Sequence, residues 1–572
     1  MLNRFKNHRR NYLFCFGISL LIAFYYGLYF YYFVFSHEYI VQDDVRQHVV
    51  WLQRFVYPEL FPQDIIAKYF YDLAPIGWKT LYFLAAKVGI EPILLAKLLP
   101  PVLGLITTIY IYLFTLEILP IPIAGFFGSL FINQLIWLND DLVSATARAF
   151  IYPLFAAFLY YLSKNKIVPC LIFMFLQGLF YPHILLIEIT ILSLRLLIPK
   201  DKVLINFTKN KQHYIWWLCG LVVTAIALYP MTQKPPELAT TVTAVQMQQM
   251  PEFYINGRNA FFGGNFYQYW FKDTTGPSLP IFPTIVWCGV LLPLFWKFKL
   301  PITKLITGKV AILLQVTVAS LLMFFLAHLL LPTLHLPNRY TYHTLRFMLA
   351  VSTGIVLTIL IDIGKYWIKK RKEFNLLDKL KIALVILFSL AVIIIPAIPY
   401  VFAQGFQNWI IGTNNEVYQY LAQQPKDVVV ASLSEDANNI PAFSQRSILV
   451  GLEFAMAYHP SYYNRIKQRF TDLLEAQYTS NLEILQSFIR QYNIDFILVE
   501  TNAFTPEYLL QKTWLVNSSL LAEIEDAIAF LESESTPAIT KFTASCSVIS
   551  TEELNLIDTN CMQINLSQDF NQ

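Results

Sequence analysis

The sequence predicts an α-helical polytopic membrane protein of about eleven spans, with a C-terminal α/β domain on the outer side of the membrane. Three observations predict it. Of 572 residues, 56% are hydrophobic and only 14% charged, with a mean hydropathy of +0.48; a soluble chain carries roughly a quarter charged residues. Apolar stretches long enough to cross a hydrocarbon core recur through the first two-thirds of the chain. After Gln404 those stretches shorten and polar residues return. This composition excludes a cytosolic enzyme, a disordered chain and a rod. A surplus of 42 Lys and Arg over 38 Asp and Glu is too small to argue for nucleic acid.

The apolar stretches fall near 12–35, 95–117, 120–138, 147–163, 167–181, 183–199, 214–232, 281–297, 310–332, 346–364 and 382–402. The pair flanking Tyr181-Pro182-His183 is short on both sides and also reads as one broken helix. Orientation follows from basic residues, which favour the cytoplasmic side. Arg4, Lys6, Arg9 and Arg10 place the amino terminus inside, and Lys164/Lys166, Lys200/Lys202/Lys209/Lys211, Lys297/Lys299/Lys304/Lys309 and the run Lys365 to Lys381 then fall inside too. The first span reads as a signal-anchor, because its apolar run is long and no A-x-A site follows it. The loops 36–94, 139–146, 233–280 and 333–345 lie outside with the tail. The location implied is a plasma (inner) membrane, multi-pass, with the amino terminus cytoplasmic.

The division is therefore 1–402 as the membrane domain and 403–572 as the outer domain. In the tail, Asp427 to Ser432, Arg446 to Val450 and Ile494 to Val499 read as strands. Ser480 with Glu483 reads as a capping box opening a helix from Leu482 to Tyr492. Cys546 and Cys561 share the oxidising side and suit a disulfide; the competing reading is two buried thiols. Cys15, Cys170, Cys219 and Cys288 fall in spans and read as packing residues. The sequons at Asn517 and Asn565 are short enough to arise by chance.

The first outer loop opens with Asp43-Asp44. Adjacent carboxylates repel, which raises the pKa of one and suits it to general-base work or to half of a metal site. The structural reading is that Asp44 N-caps an amphipathic surface helix with Val45, Val49, Leu52 and Val56 on one face. The next outer loop repeats the theme with Asp140-Asp141 and Arg148, seven residues or about 10 Å on if helical. Arg148 alternatively snorkels to headgroups. Arg339, His343 and Arg346 would align on one helical face, an arrangement suited to phosphate or pyrophosphate; the alternative is headgroup anchoring. His183, in the predicted break, either joins this set or is a satisfied loop residue. Gly257-Arg258 and Phe261-Phe262-Gly263-Gly264-Asn265 sit among aromatics that suit sugar stacking or a membrane surface.

No Walker A, G-x-G-x-x-G, G-x-S-x-G or H-E-x-x-H motif occurs, which removes ATP as a partner along with the common hydrolases. One amino-terminal span, an acidic motif opening a long outer loop, a second acidic motif in the next outer loop, many spans and an outer soluble tail together resemble the GT-C superfamily of membrane glycosyltransferases. That resemblance covers the membrane region. It implies an inverting glycosyltransferase acting on a polyprenyl-phosphate-type sugar at the outer membrane face, with membrane lipid and polyprenyl-linked sugar as partners. Asp43 or Asp44 matches the position of the family's catalytic acid and Asp140-Asp141 its second acidic motif. Arg339 and Arg346 correspond loosely to the family's donor-phosphate groups, and Arg148 or His343 would join them in stabilising the leaving phosphate. Mg²⁺ or Mn²⁺ on Asp43, Asp44, Asp140 and Asp141 suits hard oxygen ligands. The chain lacks a W-W-D-x-G-type motif, which argues against protein N-glycosylation. Competing classes are a transporter or flippase for a lipid-linked or anionic substrate, and a non-catalytic membrane assembly protein.

Overall fold

The computed structural model describes residues 2–199, 205–233, 235–271, 274–297, 300–370, 376–398 and 406–563. Lys200, Lys202, Lys299, Arg371, Lys372, the composition boundary at Gln404 and the sequon at Asn565 lie outside the described residues. Among the described residues, a helix occupies the larger part of each apolar stretch, and the stretch 183–199 ends in the short strand Leu197–Pro199. Among the described residues, five helices are long and apolar enough to cross a membrane: Arg9–Val34, Pro92–Ile118, Lys211–Thr232, Gly308–Leu329 and Pro337–Lys370. Shorter apolar helices stand between them, among them Pro122–Trp137, Ala147–Ser163, Ile167–Phe180 and Pro182–Leu194.

Small and hydroxylated residues let these helices approach closely, which dispersion and buried hydrogen bonds reward in lipid. A Cβ on Gly354 would stand 2.6 Å from the Gly128 nitrogen, so only glycine there lets the helix Tyr342–Lys370 lie on Pro122–Trp137. Ser129 donates to Ser19 Oγ at 2.8 Å, and Asn133 Nδ2 to Thr108 Oγ1 at 2.8 Å. These bonds tie Pro122–Trp137 to the first and second long helices. The outer surface of Lys211–Thr232 exposes Leu218, Val222, Ile226 and Tyr229, a stripe at helical spacing of the kind that meets acyl chains.

Tyr181 ends one helix with extended φ −149° and ψ 89°, and Pro182 starts the next at a position that needs no amide donor. The two helices fold back on each other: a Cβ on Gly178 would lie 2.6 Å from Leu185 Cδ2. The broken segment is therefore a hairpin of helices, with residues Asn165 and Arg195 at its open end.

The tail builds a five-stranded mixed sheet in the order Ser447–Ile448, Val429–Ala431, Phe496–Glu500, Leu554–Asp558, Ser547–Ser550. The first three strands are parallel and the last two antiparallel. The helix Leu482–Tyr492 is capped by Asn481 and not by a Ser480 capping box: Asn481 Oδ1 accepts the Glu483 amide at 2.9 Å. Asn481 directly precedes the first helical residue, so its side chain reaches that amide without the longer span a capping box needs.

Cys546 and Cys561 are disulfide-bonded across 15 residues, Cα atoms 5.5 Å apart. Closing a loop of that length restricts the unfolded chain by about 3 kcal/mol. Cys546→Ala with Cys561→Ala should therefore lower the thermal midpoint of the tail in fluorescence-detected melting, and an unchanged midpoint would assign the pair no stabilising role.

Candidate functional site

The first acidic motif is positioned by the tail. Ile40–Gln42 pairs antiparallel with Trp409–Ile411, and the Asp43 amide donates to Asn408 O at 2.9 Å. The helix that follows, Asp43–His48, is capped by Gln42, whose Oε1 accepts the Val45 amide at 3.2 Å. Asp44 is thus not the cap. It lies with Asp43 in the first turn, where the exposed amides favour negative charge. Val45, Val49 and Leu52 are buried inside the protein and not laid on a membrane surface.

The two carboxylates of this motif turn to different partners. Asp43 meets Arg46 at 2.6 Å and stays 38% exposed at its side chain. Arg46 continues to Asn439 Oδ1 at 2.8 Å and to Glu453 Oε2 at 3.3 Å, and Arg258 holds the other Glu453 oxygen at 2.9 Å. Asp44 forms an ion pair with Arg148.

The second motif reaches the same arginine. After Pro122–Trp137 the chain makes one turn at Asp140–Val143, then reverses at Ala145 in the left-handed region, φ 50°. Trp78 Nε1 and Tyr82 OH donate to the Ala145 carbonyl at 3.1 and 3.0 Å and fix the reversal. The turn Ala147–Phe150 then brings Arg148 back to Asp141, Nη1 to Oδ1 3.2 Å. A continuous helix would have kept the pair about 10 Å apart; the left-handed residue removes that separation. Asp141 is 3% exposed, accepts from Tyr152 OH at 3.2 Å and lies 3.7 Å from His343 Nδ1. Burial pushes its carboxyl up, but the His343, Arg148, Arg339 and Arg346 side chains overrun burial and set it at about 2. Asp140 goes the other way. Burial, with Asp141 and Asp44 adding, brings it up to about 6, and Asn408 donates to it.

The cationic set does not share one helical face. Arg339 belongs to the turn Pro337–Tyr340, and the helix carrying His343 and Arg346 starts at Tyr342, because Pro337 opens a separate short turn. Arg346 stacks on the Tyr342 ring at 3.4 Å. Arg339 has no ion-pair or side-chain hydrogen-bond partner among the described residues, although it stands within electrostatic reach of Asp141, His335 and Tyr458. The His183 ring lies 5.5 Å from His335, and His335 5.6 Å from Tyr458 of the tail. Burial, with His183, Arg339, His459 and Arg148 adding, holds the His335 imidazole well below its ordinary value. The structure thus joins Asp44, Arg148, Asp141 and His343 directly, places Arg339 and His183 beside them, and gives Asp43 and Arg346 separate contacts.

The carboxylates do not make a metal cage in this arrangement. Arg148 stands between Asp44 and Asp141 where a divalent ion would bind, and no three His, Cys, Asp or Glu side chains converge as ligands among the described residues.

Sequence reasoning missed Glu453, Asn408, Asn439 and His335. Arg46 was within sight, three residues after Asp43, but nothing in the sequence links residue 46 to residue 453. Glu453 also has a measurable signature. Burial raises its carboxyl to about 7, Asp43 and Asp44 add to this, and Arg258 and Arg46 oppose it. The folded protein keeps a proton there that an ordinary carboxyl with pKa 4.5 releases. Stability from this group is complete below pH 4.5 and is lost as pH rises through 7, at up to roughly 1.4 kcal/mol per unit. Glu453→Gln should flatten the melting temperature between about pH 5 and 7.5; an unchanged slope would place the titration elsewhere.

No protein-family model and no curated protein matches the chain. Its structure is similar to the oligosaccharyltransferase of Archaeoglobus fulgidus in complex with zinc and sulfate, TM-score 0.51 at 12% identity, covering 90% of this chain and 70% of that one. It is also similar to the apo form of ArnT from Cupriavidus metallidurans, TM-score 0.49 at 12% identity, covering 95% and 97% of the two chains. The first likeness, at 12% identity, shows the fold alone: the chain shares the fold of that oligosaccharyltransferase.

Proposed function

We propose that this chain is a GT-C-type inverting glycosyltransferase that moves a sugar from a polyprenyl-phosphate-type donor to an acceptor hydroxyl at the outer membrane face. One observation carries the reading. Acidic motifs from two separate outer loops meet on Arg148, within electrostatic reach of Arg339, whose side chain has no ion-pair or hydrogen-bond partner among the described residues. Fold likeness to an oligosaccharyltransferase supports it. Residues 1–402 serve as the membrane domain, and 403–572 as an outer domain that closes the site through Asn408 and Glu453. The protein belongs in a bacterial plasma membrane, amino terminus inside.

In this reading the Asp43 carboxylate, open on one side, takes the proton of the acceptor hydroxyl. The acceptor oxygen bonds to the anomeric carbon as the bond from that carbon to the phosphate oxygen breaks. The electron pair leaves with the phosphate, whose growing charge Arg339 receives, with Arg148 adding field. Asp141, fixed by Tyr152 and His343, holds Arg148 in place, and Asp140 orients the acceptor. The test is incubation of the purified protein in lipid vesicles with radiolabelled polyprenyl-phosphate pentoses and hexoses plus a cell-envelope extract as acceptor. Label should pass to the extract, with release of polyprenyl phosphate. No turnover of any donor would end the assignment.

A transport reading has one observation in its favour: both oxygens of Glu188, in an apolar helix, are buried without a hydrogen-bond partner. Label that crosses the vesicle membrane while still attached to its lipid would support that reading instead.

A further inference from the structure

The open end of the helical hairpin carries a second polar site, and we propose that it binds a phosphate-type oxyanion, as the headgroup of a lipid or as free phosphate. A cavity of about 180 Å³ lies there, lined by Asn165, Arg195, Asn210, Gln212, His213 and Trp216. Such a volume holds several waters or one tetrahedral oxyanion. Three helix ends build it. Asn165 lies in the turn before Ile167–Phe180, Arg195 ends Pro182–Leu194, and Asn210 to His213 open Lys211–Thr232. The 13-residue helix Pro182–Leu194 separates it from His183, about 20 Å along the axis. The site therefore stands at the opposite end of the bundle from the acidic motifs and takes no part in the chemistry above.

The chemistry of the lining selects an anion. Arg195 has no carboxylate partner among the described residues, and its Nη1 is buried with no hydrogen-bond partner. Glu188, the acid on the same helix, is seven residues and thus about 10 Å away along the axis. A guanidinium nitrogen buried without an acceptor is costly, and an oxyanion in the adjoining cavity supplies that acceptor together with a counter-charge. The amide side chains of the lining add donors. Asn210 Oδ1 is taken by the Gln212 amide at 3.0 Å, which leaves its NH₂ to give. His213 Nδ1 donates to the Arg195 carbonyl at 3.1 Å, fixing the ring. Asn165 and Gln212 add amide NH₂ groups. Guanidinium with several neutral donors fits phosphate geometry. A lipid source suits the surroundings, since Ile215, Leu218 and Val222 run exposed from the cavity along the same helix.

The experiment uses the full chain in neutral detergent and follows thermal unfolding at constant ionic strength, with inorganic phosphate, short-chain phosphatidylglycerol or short-chain phosphatidylcholine added to a chloride buffer. The expected result is a saturable rise in melting temperature with phosphatidylglycerol, phosphate or both, exceeding that with chloride and lost in Arg195→Gln. A rise with phosphatidylglycerol alone identifies a lipid headgroup, and a rise with phosphate alone identifies the free ion. No rise with either, or an equal rise in Arg195→Gln, overturns the proposal. Where Arg195→Gln does not fold, Gln212→Ala decides: it keeps the arginine and should weaken binding about tenfold, the loss of one hydrogen bond to a charged group. Unchanged binding in that variant overturns the proposal equally.

Discussion

Replacing Arg148 with Gln should abolish sugar transfer and destabilise the protein by about 3–5 kcal/mol. The size follows from what the arginine leaves behind. Asp141 keeps only 4% side-chain exposure, and Asp44 19%, while both are paired to the one guanidinium. Removing it strands a buried carboxylate with Tyr152 and His343 as its remaining contacts. The pH dependence carries the same sign. Asp141 sits at about 2 in the folded protein against 3.8 for an ordinary aspartate, so its contribution is present above 3.8 and lost as pH falls through 2. Without Arg148 the folded value rises, and acid-side behaviour moves toward neutrality. The double variant Arg148→Gln with Asp141→Asn removes the stranded charge and should recover most of the stability without recovering transfer. Melting curves from pH 4 to 8 in the three proteins check this. Full stability in Arg148→Gln alone would show that the bridge is not what joins the two loops.

That bridge also marks where sequence reasoning stopped. The helices were legible because lipid demands long apolar runs, and the acidic motifs because paired carboxylates are rare in so apolar a chain. The convergence of Asp44 and Asp141 on Arg148 was not legible. It depends on one left-handed residue, Ala145, in a sequence without the glycine or asparagine that usually signals such a turn. Asp44 as a helix cap loses to Gln42, because pairing of Ile40–Gln42 with the tail fixes the start of the helix two residues earlier. The role of the tail was hidden for a deeper reason. Glu453 and Asn408 act at Arg46 and Asp140 across a long stretch of chain, and no periodicity or spacing reports a contact of that kind. Arg339 stood out in sequence for its chemistry; what the structure adds is that its charge reaches the site from a turn of its own.

Asp43→Asn should lower the transfer rate by about 10²–10⁴, the range for losing a general base, while leaving the melting temperature nearly unchanged. Stability is expected to hold because Arg46 keeps Asn439 and Glu453, and the Asp43 backbone keeps Asn408. The loss should fall on kcat with KM little changed, since the carboxylate acts on the acceptor proton and contributes little to donor binding. Asp44→Asn tests the alternative base. It removes one of two carboxylates on Arg148, so it should cost stability as well as rate, and the guanidinium should turn further toward Asp141. The pair of variants separates chemistry from scaffold. A protein in which Asp43→Asn transfers at the normal rate and Asp44→Asn is inert but folded would make Asp44 the base. Arg148 would then have to release Asp44 when substrate binds, and the ion pair seen here would be the resting form of the site.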